Sequence, residues 1–206
     1  MVNEEHESRR AVPRRLPPGA TSSRPLNRSV RPLSASLRHL PNLTYAMDAA
    51  LKTFFTSPRF AVAGASSDRA KFGHKVFVWY LAHSLPVTPL NPRSPTITAL
   101  NRAYPAAPKP SALPSPTETA LSVITPPPVT LQLLREAKDA GIRAVWLQPG
   151  TFDKEVLEYA QHAFPGAVIA DGFWGRSGGH GEGWCVLVDG EEGLRVAGRE
   201  WEAARL

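Results

Sequence analysis

The sequence predicts a doubly wound α/β domain: a mainly parallel, five-stranded sheet with helices on both faces. From Arg59 onward, short apolar runs alternate with amphipathic stretches, the pattern of strands joined by crossover helices. Gly, Pro and Asn punctuate the joins. A length of 206 residues, 42% hydrophobic and 20% charged, suits one domain around a single core.

Phe60 to Ala63 is a compact buried-strand candidate ended by Gly64. Phe72, Val76, Tyr80 and His83 share one face of the helix that follows, with Trp79 beside them. Pro86 to Leu90 forms the second strand, stopped by Asn91 and Pro92. Pro105, Pro108, Pro110, Pro114 and Pro116 then exclude regular helix and central strand alike, which predicts a long surface loop. Ala120 to Ile124 is the third strand, and Val62, Ile124 and Trp146 are expected in the core beneath any pocket.

Pro126, Pro127 and Pro128 precede a helix from about Val129 to Ala140, with Gly141 as its stop. Ala144 to Leu147 is the fourth strand. Asp153 caps the next helix, whose stripe is Val156, Leu157, Ala160 and Phe164, and Ala167 to Ile169 is the fifth strand. A Gly-rich loop over 172–183 leads to a C-terminal extension. There Cys185 to Val188 and Leu194 to Val196 flank Asp189-Gly190-Glu191-Glu192-Gly193 as a hairpin.

The expected organisation is therefore a leader over 1–46, a domain over 47–171 and a Gly-rich hairpin extension over 172–206. The leader carries eight arginines, three glutamates and six prolines, a composition that cannot bury enough apolar surface to offset the entropy of ordering. Val30, Leu33, Leu37 and Leu40 fall on one helical face beside Arg31 and Arg38, as in an organelle transit peptide. Glu4, Glu5 and Glu7 oppose that reading, so a dispensable leader or an upstream extension of the true start stays open. The expected location is cytoplasmic, with mitochondrial targeting the alternative.

The net charge of +6 is concentrated in the leader; the rest holds 16 basic and 15 acidic residues. A nearly neutral domain lacks the basic stripe that wrapping phosphates requires, which excludes nucleic acid as a partner. The single cysteine, Cys185, excludes an internal disulfide and a cysteine-rich zinc site, and sits in an apolar run as a small hydrophobe would. His74, His83, His162 and His180 lack metal-ligand spacing, so no metal is expected. No apolar run reaches the roughly 18 to 20 residues that span a bilayer, so the domain is expected to be soluble and intracellular.

In an open parallel sheet, ligands bind beyond the carboxyl ends of the strands. There the segment from Gly64 to Gly73 joins the first strand to the first helix: Gly64 allows close backbone approach, the helix start offers N–H groups to an anion, and Ser66, Ser67 and Lys71 add donors. The Gly-x-Gly-x-x-Gly spacing of a dinucleotide site is missing, and Leu90-Asn91-Pro92-Arg93 offers no acid for the ribose hydroxyls of NAD. Arg93 suits a ribose-linked phosphate, which NADP and coenzyme A both carry.

The combination of Phe60-Ala-Val-Ala-Gly-Ala-Ser-Ser, Lys71-Phe-Gly-His-Lys-Val, Val87-Thr-Pro-Leu-Asn-Pro and Trp146-Leu-Gln-Pro-Gly150 resembles the small CoA-binding-domain proteins. These are Rossmann-like and similar to the N-terminal domain of the succinyl-CoA synthetase α subunit. The resemblance covers about Phe54 to Asp171. It implies that Gly64, Ala65, Ser66 and Lys71 line the phosphate end, that Asn91, Pro92 and Arg93 border the nucleotide, and that Thr125, Pro126, Gln148, Pro149 and Gly150 flank the pantetheine arm. The segment from Gly172 to Gly183 departs from the family pattern; its His180 faintly resembles the phosphohistidine loop of the synthetase, whose second domain this chain is too short to hold.

The function expected from these residues is binding of coenzyme A or an acyl-CoA without catalysis, since no acid, base or nucleophile stands out in the four segments. The alternatives are an NADP-linked oxidoreductase, and a scaffold or regulator whose vestigial pocket serves a partner through a patch near Phe173, Trp174 and Trp184. A second copy of the chain, as a homodimer, is the macromolecular partner left open.

Overall fold

The computed structural model describes residues 40–170 and 184–201, with side chains from Tyr45 onward. Helix α1 (Leu40–Phe55) comes first, beginning seven residues inside the expected leader. Met47, Ala50, Leu51, Phe54 and Phe55, spaced as one helical stripe, are its buried face. The expected transit-peptide face from Val30 to Leu37 lies outside the described residues.

The core alternation is as the sequence predicts: β1 (Arg59–Ala63), α2 (Phe72–Ala82), β2 (Val87–Leu90), β5 (Thr119–Val123), α3 (Pro127–Asp139), β6 (Ala144–Leu147), α4 (Lys154–Ala163) and β7 (Val168–Ile169). The five strands run parallel in the order β2-β1-β5-β6-β7, so strand order reverses between β1 and β5. Asp153 caps α4 as expected, its Oδ1 accepting from the Val156 amide at 3.0 Å. Pro89 is tolerated because β2 is an edge strand.

Helices cover both faces. α1 and α2 lie on one side with α5 (Val186–Val196), α1 packing on β6 and β7 and α2 on β1 and β2, while α3 and α4 pair on the other. Trp146, fully buried in β6, receives the edges of Phe54 and Phe55. The Tyr80 hydroxyl on α2 and the Ser122 hydroxyl in β5 share a buried hydrogen bond of 2.7 Å.

Two expectations are corrected. The C-terminal extension is the helix α5 and not a hairpin. Gly190 and Gly193, read as turn residues, stand one helical turn apart on the face against the core: a Cβ at Gly190 would overlap the Trp79 ring, and one at Gly193 the Phe55 ring. The glycines allow close packing at the expense of helix propensity, about 1 kcal/mol each. The helix start is anchored, with the Val186 amide donating to Gln148 Oε1 and the Cys185 amide to Asp189 Oδ2.

The proline-rich connection also holds more structure than a loop. Strands β3 (Thr96–Ala99) and β4 (Arg102–Pro105) form a separate antiparallel hairpin. Leu100 and Asn101 at its tip both have positive φ, +50° and +59°, as a tight two-residue turn requires. Beyond it, Ala107 pairs in parallel with Leu90 and extends the sheet edge by one bridge.

Candidate functional site

The reversal of strand order opens a crevice at the carboxyl ends of β1 and β5, where ligands of such sheets bind. The chain leaves β1 at Gly64, whose φ of +91° belongs to the region glycine adopts without strain. An added Cβ would come within 3.2 Å of the Ile124 carbonyl oxygen, so the β1 and β5 exits pass with almost no space between them. At the start of α2, a Cβ on Gly73 would overlap the carbonyl oxygen of Gly64. Helix and loop backbone are therefore in direct contact.

Side chains fix the loop's course. Asn91 Nδ2 donates to the Ala65 carbonyl at 2.9 Å while its Oδ1 accepts from the Arg93 amide at 2.8 Å, tying the ends of β1 and β2 together. His74 Nδ1 bonds the Ser66 carbonyl at 2.8 Å. Ser66 Oγ accepts from the Asp68 amide, and Ser67 Oγ from the Thr98 amide of the β3–β4 hairpin. Lys71 is the N-cap of α2, with no side-chain cap bond.

The crevice is a cavity of about 820 Å³, within the range of small-molecule sites. Of the residues expected at a site, Gly64, Lys71, Asn91, Pro92, Arg93, Thr125 and Pro126 line it together. Ala65 and Ser66 do not: Ala65 is fully buried, and Ser66, half-buried, commits its hydroxyl and carbonyl to the loop bonds above. Gln148, Pro149 and Gly150 also fall outside the lining. Gln148 is buried on the α5 side, its oxygen committed to the Val186 amide, while Pro149 and Gly150 are exposed. Ile124, expected in the core, packs half-buried against it and also forms part of the cavity wall.

Other lining residues carry no local sequence signal. Pro108, Lys109 and Pro110 arrive from the proline-rich connection, and Val129, Gln132, Leu133 and Glu136 from one face of α3. The cavity's charged side chains are Lys71, Arg93, Lys109 and Glu136. Glu136 Oε1 accepts from Gln132 Nε2 at 3.1 Å. The three cations form no ion pair among the described residues.

The two helix starts at the cavity differ in what they present. At α2 the His74 and Lys75 amides donate to the Lys71 carbonyl, and those of Phe72 and Gly73 remain as first-turn donors. At α3, Pro126, Pro127 and Pro128 have no N–H, and the Val129 and Thr130 amides both donate to the Pro126 carbonyl. Thr125 Oγ1 is paired with Thr130 Oγ1 at 2.8 Å. The α2 side of the cavity thus offers backbone amides and the Lys71 ammonium, while the α3 side offers proline rings, Val129 and Leu133 together with Gln132 and Glu136.

Cys185 lies away from this lining at the start of α5; burial pushes its thiol up from the ordinary range, with backbone hydrogen bonds opposing. His180 and the residues Phe173 and Trp174 lie outside the described residues. Among the described residues, no helix is long and apolar enough to cross a membrane, and no group of three or more His, Cys, Asp or Glu could hold a metal ion.

Comparison with known proteins gives a match between residues 58–173 and the model of a family described as the CoA binding domain. Among solved structures, a Thermus thermophilus protein, cell-free ID.343, is 26% identical with a TM-score of 0.50, covering 59% of this chain and 88% of its own. A conserved hypothetical protein from Pyrococcus furiosus is 28% identical with a TM-score of 0.46, covering 51% of this chain and 86% of its own. None of the curated proteins matches the chain.

Proposed function

The chain belongs to the CoA binding domain family, and on that premise we propose that it binds coenzyme A or an acyl-CoA in the crevice between β1 and β5, and holds the molecule without altering it. One observation carries the reading: three cations without ion-pair partners among the described residues line a cavity that also has a wall of proline rings, Val129 and Leu133. A ligand with a multiply charged nucleotide and a long, nearly uncharged arm matches that combination.

The contrast between the two helix starts sets the orientation. The diphosphate belongs at the Gly64 loop, against the first amides of α2 and the Lys71 ammonium. The arm belongs along Thr125, Pro126, Val129 and Leu133, where a phosphate would meet prolines and gain nothing. Binding without chemistry is supported by the lining: Thr125 is paired with another hydroxyl, and Glu136 with an amide.

Calorimetric titration of the full chain with coenzyme A, acetyl-CoA, NADP and NAD tests this. Saturable binding of the CoA compounds, weakened by salt because the anionic end is held by exposed cations, is the expected result. Absence of heat with either CoA compound at millimolar concentration, or binding of NADP alone, would remove the reading.

A further inference from the structure

Resting on the proposed nucleotide site, we propose that Lys109 acts with Arg93 as a second anion locus, distinct from the Lys71 end, that reads a phosphate on the ribose and so determines which adenine nucleotide the cavity accepts. The chemistry recognised is an adenosine carrying both a 5′-diphosphate and a ribose monoester phosphate.

The placement follows from the sheet edge. The Ala107 amide donates to the Pro89 carbonyl and the Asn91 amide to the Ala107 carbonyl, both at 2.9 Å, so Ala107 runs parallel beside Leu90. Two residues further along each strand come Lys109 and Pro92. The parallel register therefore carries Lys109 to the end of β2 beside the Pro92-Arg93 step, and all three residues line the cavity. Buried Ala107 and Pro110 hold the backbone on either side of Lys109, whose own conformation is extended.

Lys71 belongs to a different element. It caps α2 at the exit of β1, where the helix amides are the natural partners of a diphosphate. Arg93 starts no helix and Lys109 precedes only a three-residue 3-10 turn that opens with Pro110, so what they offer is a planar donor fork and a point charge, a pairing suited to a monoester phosphate dianion. Neither is engaged by a carboxylate among the described residues. An NAD-type site would place an acid at the end of β2 to take the ribose hydroxyls; here that position offers two cations.

The test compares ligands that differ by this phosphate alone. Calorimetric titrations at low salt with coenzyme A against dephospho-CoA, and NADP against NAD, are run on the wild-type chain, Lys109→Ala and Lys109→Arg. The wild type is expected to prefer coenzyme A by about tenfold, as one charge-assisted contact supplies. Lys109→Ala should lose most of that preference while binding dephospho-CoA as before, and Lys109→Arg should keep it. The same preference in wild type and Lys109→Ala, or an equal loss for both ligands, would overturn the assignment. If the pair NADP and NAD shows the Lys109-dependent preference while coenzyme A does not bind, the phosphate locus stands and the CoA reading falls. If nothing binds, both fall together.

Discussion

Gly73 at the start of α2 lies so close to the carbonyl of Gly64 at the end of β1 that no Cβ fits between them. Helix and loop can make this contact only if residue 73 is glycine, because the obstacle is main chain and cannot rotate away. Gly73→Ala must therefore push α2 off the loop. Overpacking of this kind costs about 1–3 kcal/mol, and the displaced helix start would no longer face the cavity. Chemical denaturation should show the stability loss, and titration with coenzyme A should show weaker binding under conditions where the variant remains folded.

Gly193 poses the opposite balance. In the interior of α5, alanine would favour the helix by about 1 kcal/mol, yet the new methyl group would meet the Phe55 ring. Phe55 is fully buried, with an edge-to-face contact to Trp146, so the ring has no free space to enter. Gly193→Ala is expected to destabilise the chain by about 1–2 kcal/mol. Adding Phe55→Leu should make the alanine less harmful than it is alone, and a double-mutant cycle reads that coupling directly.

Gly190 and Gly193 together explain where sequence reading stops. Asp189-Gly190-Glu191-Glu192-Gly193 has the composition of a turn, and only the positions of Trp79 and Phe55 turn it into a helix face. The parallel strands and their crossover helices were legible because burial on both faces leaves continuous apolar runs, as in Phe60 to Ala63 and Ala144 to Leu147. The β3–β4 hairpin is masked by the prolines that bound it, Pro95 and Pro105, which rule out a central strand and say nothing of a small separate one. In the site, residues at strand ends were found and residues from distant segments were not. Lys109 gains its place through the bridge of Ala107 to Leu90, a pairing with no local signature. The family resemblance implies a ligand contact for Gln148, whereas its side-chain oxygen accepts from the Val186 amide of α5.

Tyr80 predicts an alkaline limit. Burial pushes its phenol well above the ordinary value, the Ser122 hydrogen bond opposing only in part. The unfolded chain releases this proton near pH 10, whereas the folded chain keeps it. Above about pH 10 the folded state therefore binds more protons than the unfolded one, and stability falls as pH rises. Tyr80→Phe should lower stability by about 1–2 kcal/mol at neutral pH by leaving the Ser122 hydroxyl unpartnered, and should flatten the decline between pH 10 and 11. Denaturation midpoints across that range in both chains check the sign.

The family match spans residues 58–173, but the folding unit is larger. Beneath α1 and α5 lie Phe54, Phe55, Leu51, Val186 and Leu194, all essentially without solvent exposure, packed on the face of the sheet that holds Trp146. Full burial of a large apolar side chain stabilises by about 1.5–3 kcal/mol, so loss of these five approaches or exceeds the roughly 5–15 kcal/mol that keeps a domain folded. Arg199 adds a tether, donating to the Phe55 and Ser57 carbonyls at 2.8 and 2.9 Å. A chain running from Pro58 to Phe173 should accordingly lack a cooperative thermal transition. One that starts at Leu40 and keeps the C-terminus should melt like the full protein, since it retains the whole of α1, whose buried stripe begins at Met47 among the described side chains. Equal melting of the shorter chain would show that α1 and α5 rest on a sheet already stable without them.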